Sequence, residues 1–332
     1  MRCTSAAPDP PSQHDRWSEE ETRGDSDAFG AKRRIRGTID QERRRRGHHQ
    51  INKADRSSYF KQKPVLRTGT TRLYMNMELQ KVFSLGHSHL GALSSAYENV
   101  EPHSGLTFEL TRYQFLRVDR PHIVHVENRG WCYNQEIERD ILDLLENTKP
   151  AAVAILLQGE QAVSSGLIAP VRPYDFFFPQ EVGYIPDPNS EIIPFDIIFN
   201  ICKNKFRLIA DFLDLIVDRL PPIAFALCPP PIVGDTKFIL NSDTSHEGIS
   251  SHIAKFGLPS TSWRLRVWKV HVMALRAVYT DRKIAFIDPP AESFGEDGCL
   301  RTEFRSDVFH ANAAYGQLLL NQINRLVEQQ LR

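Results

Sequence analysis

Lys81-Val-Phe-Ser-Leu-Gly-His-Ser-His-Leu-Gly-Ala-Leu-Ser-Ser-Ala-Tyr97 is the stretch whose reading decides the fold. Val82, Phe83 and Leu85 make a short apolar, β-like run that ends at Gly86. Three polar residues follow, His87, Ser88 and His89, and then small and apolar residues that read as a helix. The order strand, tight turn, helix puts Ser88 at the C-terminal edge of a sheet, with the positive end of a helix behind it. A serine there is placed to act as a nucleophile, flanked by an imidazole on each side.

Upstream of this stretch, residues 1–76 differ in kind. They hold Pro8, Pro10 and Pro11, an acidic run Glu19–Glu21 and a basic stretch from Lys32 to Arg46, and no apolar period. Such a segment buries too little surface to offset its ordering entropy and is expected to be a disordered, partly basic tail. The Arg43–Arg46 run is read as solvated rather than as a nucleic-acid site. Met75 and Met77 stand just before the first core strand, so the tail is alternatively an over-extended gene start. Residues 77–332 are expected to form the folded domain.

Downstream, Leu106–Leu110 and Pro121–Val126 alternate like short strands, and Asn134–Asn147 has apolar residues at helical spacing. Ala151–Leu157 is a continuous apolar run, as expected of a parallel strand covered on both faces. It ends in a second turn, Gln158-Gly159-Glu160-Gln161. Pro170–Pro194, rich in proline and aromatics, reads as an ordered excursion, either walling a pocket or simply packing. Phe195–Leu220 reads as a helix, Ile223–Cys228 as a strand, and the segment to Pro259 as a loop. Ser262–Tyr279 is a helix, Lys283–Asp288 a strand, and Ala311–Leu331 a last helix. This alternation predicts one α/β domain. Its mainly parallel sheet of about five strands lies between helices in a three-layer α/β/α, flavodoxin-like arrangement.

Composition narrows the classes. Lys and Arg number 41, as do Asp and Glu, so the formal net charge is zero; with the basic run read as a solvated tail and no apolar span, neither a nucleic acid nor a membrane is expected as a partner. The five cysteines have no metal-ligand spacing and no disulfide framework, which favours buried reduced thiols. No apolar run approaches a membrane span and Met1–Glu21 has no signal-peptide core, so a cytoplasmic location is expected.

A serine needs a base, and the base needs an orienting partner. Near the C-terminus stands Asp307-Val-Phe-His310, followed by Ala311-Asn312 and Tyr315-Gly316. A carboxylate three residues before an imidazole, on a loop entering a helix, can hold one ring nitrogen and leave the other free for the serine proton. These residues resemble the SGNH/GDSL-type serine hydrolases: Gly86-His87-Ser88-His89 after an early strand, Gly159-Glu160-Gln161 after a middle strand, and Asp307 to His310 before the last helix. The resemblance spans Lys81 to Arg332 in architecture and about a dozen residues in motif. It implies Ser88 as nucleophile, His310 as general base and Asp307 as its orienter. It implies oxyanion donors in the Ser88 N–H, the Gln161 amide and a glycine N–H, for which Gly130 is the candidate. No cofactor or metal is implied. The substrate class implied is a small-molecule or glycan ester, hydrolysed or transacylated through an acyl-enzyme. His87 stands where the family has Asp, and Gln161 where it has Asn, with Glu160 beside it.

Other readings exist for the same residues. Ser88 and Asp307 also suit helix N-caps, His310 a surface histidine, and Glu160 and Gln161 ordinary loop polarity. Gly86-His-Ser-His89 also resembles the Gly-His-Thr-His turn of two-metal calcineurin-like phosphoesterases, whose Asp-X-His and Gly-Asn-His-Asp motifs are absent here. The changed residues at 87 and 161 fit, alternatively, a degenerate fold that binds carbohydrate or protein without catalysis.

Overall fold

A computed structural model describes residues 79–330, apart from 100–105, 116–120, 128–129, 158–159, 180, 182 and 243–246. The expected tail 1–76, with its alternative starts, and Gly159 lie outside the described residues.

In chain order come β1 (Gln80–Gly86), α1 (Leu90–Glu98), β2 (Phe108–Gln114), β3 (Ile123–Val126), β4 (Gly130–Tyr133), α2 (Gln135–Thr148), β5 (Ala152–Leu156) and α3 (Glu160–Leu167). Then follow β6 (Tyr174–Asp175), β7 (Glu191–Ile192), α4 (Phe195–Lys205), α5 (Arg207–Ile216) and β8 (Ile223–Leu227). The chain continues through α6 (Thr236–Asn241), α7 (Glu247–Phe256), α8 (Thr261–Thr280), β9 (Ala285–Ile287) and α9 (Ala313–Gln330). Five strands form one sheet in the order β2-β1-β5-β8-β9, and every pair is parallel.

The sheet is dry on both faces because successive side chains point to opposite sides. Val82, Ala154 and Leu156 pack with Leu90 and Leu93 of α1 and Leu319 and Ile323 of α9. Phe83, Leu85 and Ile155 pack with Ile137 of α2, Phe212 of α5 and Val270 and Leu275 of α8. All five residues of β5 are buried, which is why its sequence is a continuous apolar run. Each such Phe, Leu or Ile contributes about 1.5–3 kcal/mol by leaving water. This is the expected three-layer α/β/α arrangement.

Three local expectations are corrected. Phe195–Leu220 is not one helix: Phe206 leaves the helical region at φ −94°, ψ 11°, which divides α4 from α5, and its side chain is buried. The segment before Pro259 is not a plain loop, since it holds α6 and α7, with Asp235 capping α6 through the Phe238 N–H at 3.0 Å. The short strand expected at Pro121–Val126 is present as β3, which pairs antiparallel with β4 in a hairpin apart from the main sheet. The strand expected at Leu106–Leu110 is shifted to Phe108–Gln114. Among the described residues, no helix is long and apolar enough to cross a membrane. Cys132, Cys202, Cys228 and Cys299 are free thiols, the last three buried.

Candidate active site

The turn after β1 is pinned from both neighbouring strands. The His87 N–H donates to the Leu156 carbonyl at 3.1 Å, and the Phe115 N–H donates to the Gly86 carbonyl at 2.9 Å. Gly86 is required there: a Cβ would stand 2.4 Å from the Leu156 carbonyl oxygen. The chain then closes on itself through Leu90 N–H to His87 O at 3.0 Å and Gly91 N–H to Ser88 O at 2.9 Å. Ser88 is half-buried at the apex. It is not the helix cap, because His89 occupies that position and no side chain caps α1.

The two flanking imidazoles diverge. His87 goes to one face of the sheet, with ring centroids 5.0 Å from both Phe115 and His122, next to Tyr133 of the β3–β4 hairpin. His89 goes to the other face, its centroid 5.1 Å from that of His310. Both are driven down to a pKa of about 3, first by burial; His122 and then His89 add to this for His87, and His310 adds to it for His89. Asp307 opposes the shift of His89. Among the described residues, no three His, Cys, Asp or Glu side chains come together as a metal-binding group.

The contact with His310 brings the C-terminal loop to the Ser88 turn. Asp307 turns back as its spacing predicts. Its Oδ1 accepts the Phe309 and His310 N–H groups, each at 2.7 Å, and its Oδ2 stands 2.9 Å from His310 Nδ1. Burial alone would raise the Asp307 carboxyl; the His310 ring and the two N–H donors outweigh it and hold the carboxyl below its ordinary value. This pairing fixes the Nδ1–H tautomer and leaves Nε2 as the basic nitrogen.

Two residues downstream set the loop's position. Asn312 donates through Nδ2 to the Glu303 and Arg305 carbonyls at 2.8 and 3.2 Å. Its Oδ1 accepts the Ala314 and Tyr315 N–H groups at 2.9 and 3.3 Å, capping α9. At Gly316 a Cβ would stand 2.0 Å from the Ala92 carbonyl oxygen, so α9 lies directly on the backbone of α1. Asn312 is thus a structural residue that ties the Asp307–His310 loop to this helix pair.

The remaining expected site residues are distributed as follows. Gln161 lies in the first turn of α3, just beyond the end of β5 that pairs with Gly86. Its Oε1 is buried with no hydrogen-bond partner among the described residues. The backbone of Glu160 begins α3. Gly130, at φ +72°, pairs with Val126 at the end of the hairpin away from Tyr133, the residue that approaches His87. The excursion does wall a cavity of about 400 Å³, together with Phe256 and Trp263; Ser88, Asp307 and His310 do not line it. Arg266 pins the excursion from α8. It pairs with Asp175 at 2.5 Å and with Glu181 at 2.9 Å, and its guanidinium lies 3.7 Å from the Tyr184 ring centroid. Phe177, in contrast, is exposed. Sequence reasoning passed over His122 and Tyr133, because nothing along the chain marks the hairpin as a neighbour of His87.

No family model and no curated protein matches the sequence. Its structural neighbours include GDSL-like lipases and esterases. A GDSL-like lipase from Bacteroides thetaiotaomicron is 11% identical, with 76% of this chain and 89% of that one covered and a TM-score of 0.40. Est24, a carbohydrate acetylesterase from Sinorhizobium meliloti, is 11% identical over 76% of this chain and 99% of that one, with a TM-score of 0.39. An aryl esterase from M. smegmatis is 13% identical over 75% and 99%, with a TM-score of 0.35. The fold class itself follows from the strand order and the two packed faces.

Proposed function

We propose that this chain is a serine-dependent ester hydrolase. The observation that carries the reading is the Asp307–His310 pair, closed at 2.9 Å and packed through His89 against the turn that presents Ser88. In this reading Ser88 Oγ attacks the ester carbonyl carbon while His310 Nε2 takes the hydroxyl proton. Asp307 holds Nδ1–H and stabilises the imidazolium that forms. The tetrahedral oxyanion is met by the Ser88 N–H, at the start of a helix, and by the Gln161 amide. His310 returns the proton to the leaving alcohol, and water then hydrolyses the acyl-enzyme by the reverse use of the same base. Acyl or carbohydrate esters of small alcohols or glycans are the substrate class, and transfer to a sugar hydroxyl uses the same intermediate.

The test is labelling with a fluorophosphonate probe. Wild type is expected to label and Ser88→Ala is not, with hydrolysis of short acyl esters falling by about 10⁴-fold or more in the variant. A folded wild type that does not label overturns the reading in favour of a non-catalytic binding fold.

A further inference from the structure

His89 is a buried group at the turn that the chemistry above leaves without a task. It is 5% exposed, and neither Nδ1 nor Nε2 has a hydrogen-bond partner among the described residues. A buried imidazole whose donor and acceptor go unused is destabilising relative to a satisfied one. An apolar side chain would fill the position without that cost, so the contact this ring does make calls for an account. That contact is with His310: the centroids lie 5.1 Å apart and the rings are inclined at 45°. His89 follows the proposed nucleophile directly in sequence, and its backbone is fixed at the N-cap of α1.

We infer that His89 is a positioning residue, a neutral aromatic wall that holds the His310 ring in orientation and keeps water from one side of it. This rests on the triad reading given above. Two of the contacts that orient His310 come from different elements. Asp307 holds the ring's Nδ1 edge, and His89 lies against the ring from the nucleophile's own turn. A base held at one edge alone can still swing about that hydrogen bond. A second contact from the element that carries Ser88 couples the base's position to the nucleophile's. A displacement of about 1 Å in such a pair costs up to about 10²-fold in rate.

The wall works as a neutral one. The charged or titratable groups that act on His89 are His310 and Asp307 from the C-terminal loop, and His89 in turn acts on His87 across the turn. Burial keeps His89 neutral down to about pH 3, so it never competes with His310 for the proton in the working range. Because its nitrogens have no hydrogen-bond partner among the described residues and it stays neutral, an aromatic hydrocarbon of similar size should replace it. A small side chain should not. It would admit water against His310, solvate the imidazolium and raise the pH at which the base becomes protonated.

His89→Ala and His89→Phe distinguish these roles, with p-nitrophenyl acetate as the kinetic probe and histidine ¹⁵N–¹H NMR titration as a readout independent of turnover. In His89→Ala, kcat is expected to fall by about 10–10²-fold with KM little changed. The acid limb of kcat/KM and the NMR pKa of His310 should both move up. His89→Phe is expected to recover most of kcat and to restore both pH readouts. A purely structural role would lower the melting temperature of His89→Ala without moving either pH readout. That outcome overturns the inference, and so does a Phe variant no better than Ala. If Ser88→Ala retains full hydrolysis the triad reading itself has failed; the NMR comparison of the two His89 variants still decides whether His89 shields His310.

Discussion

Lowering the pH from 7.5 to 5 should destabilise this fold severely, and three buried histidines set the size of the effect. His87 and His89 are held at a pKa of about 3, in both cases chiefly by burial. His271 of α8 is held at about 4, again by burial first; its hydrogen bond to the Val267 carbonyl opposes the shift and Lys205 adds to it. A folded-state pKa below the unfolded value means that the unfolded chain binds more protons between the two values. Stability is therefore full above about pH 6.5 and falls as the pH drops through the window toward 3–4. At pH 5 an unfolded imidazole is mostly charged while these three remain neutral. Over about one and a half pH units, at about 1.4 kcal/mol per unit, each histidine costs about 2 kcal/mol. The three together take about 6 kcal/mol from a domain whose total is of order 5–15 kcal/mol. The carboxyls of Asp175 and Asp307, both held below their ordinary value, add to acid sensitivity only below about pH 4, outside this interval.

The assay is urea unfolding at pH 7.5, 6 and 5, with the slope m held as a check on two-state behaviour. The midpoint should fall progressively, and His271→Met should reduce the pH slope by about one proton, or about 1.4 kcal/mol per pH unit. An unfolding free energy that changes by less than about 1 kcal/mol between pH 7.5 and 5 would refute the reasoning, because it would mean these rings reach solvent.

Further outcomes follow from the same geometry. Asp307→Asn should lower kcat by about 10⁴-fold while the fold remains intact by circular dichroism, since the amide no longer enforces the Nδ1–H tautomer. Gln161→Ala should lower kcat by about 10²–10³-fold with KM little changed in steady-state kinetics, as its amide is proposed to meet the oxyanion. Gly316→Val drives a side chain into the Ala92 carbonyl and should cost at least about 1–3 kcal/mol in chemical denaturation, with activity lost as α9 is displaced. Arg266→Met leaves the Asp175 carboxylate buried without its cation and should cost about 3–5 kcal/mol, read as a lower urea midpoint.

What the sequence reveals and what it hides divide along a physical line. Continuous apolar runs such as Ala152–Leu156 announce strands covered on both sides, because only burial of both faces tolerates them. Asp307 and His310 are legible because a three-residue separation on a loop lets a carboxylate reach its own imidazole, and the structure shows that reach. Short helices such as α6 and α7 are not legible, since a few turns owe their stability to packing rather than to propensity. The partner of Asp175 is not legible either, because Arg266 lies 91 residues away and only the fold brings the two together.

The candidate site illustrates the same division at atomic scale. Its reactive groups are written in short motifs, but their convergence depends on residues that carry no chemistry. Gly86 lets β1 approach the Leu156 carbonyl, which fixes where the Ser88 turn begins. Gly316 lets α9 rest on the backbone of α1, which fixes where the loop carrying His310 ends. Each position excludes any side chain larger than hydrogen, and each lies close in sequence to a proposed catalytic group. The proposed nucleophile and its proposed base are therefore registered to each other through one helix pair, α1 on α9, rather than through a direct covalent neighbourhood. A sequence reader who finds Gly-X-Ser and Asp-X-X-His sees the two ends of this arrangement. The glycine after the buried Tyr315 is plain in the sequence, but the reason it must be glycine emerges only once the two helices are seen to touch.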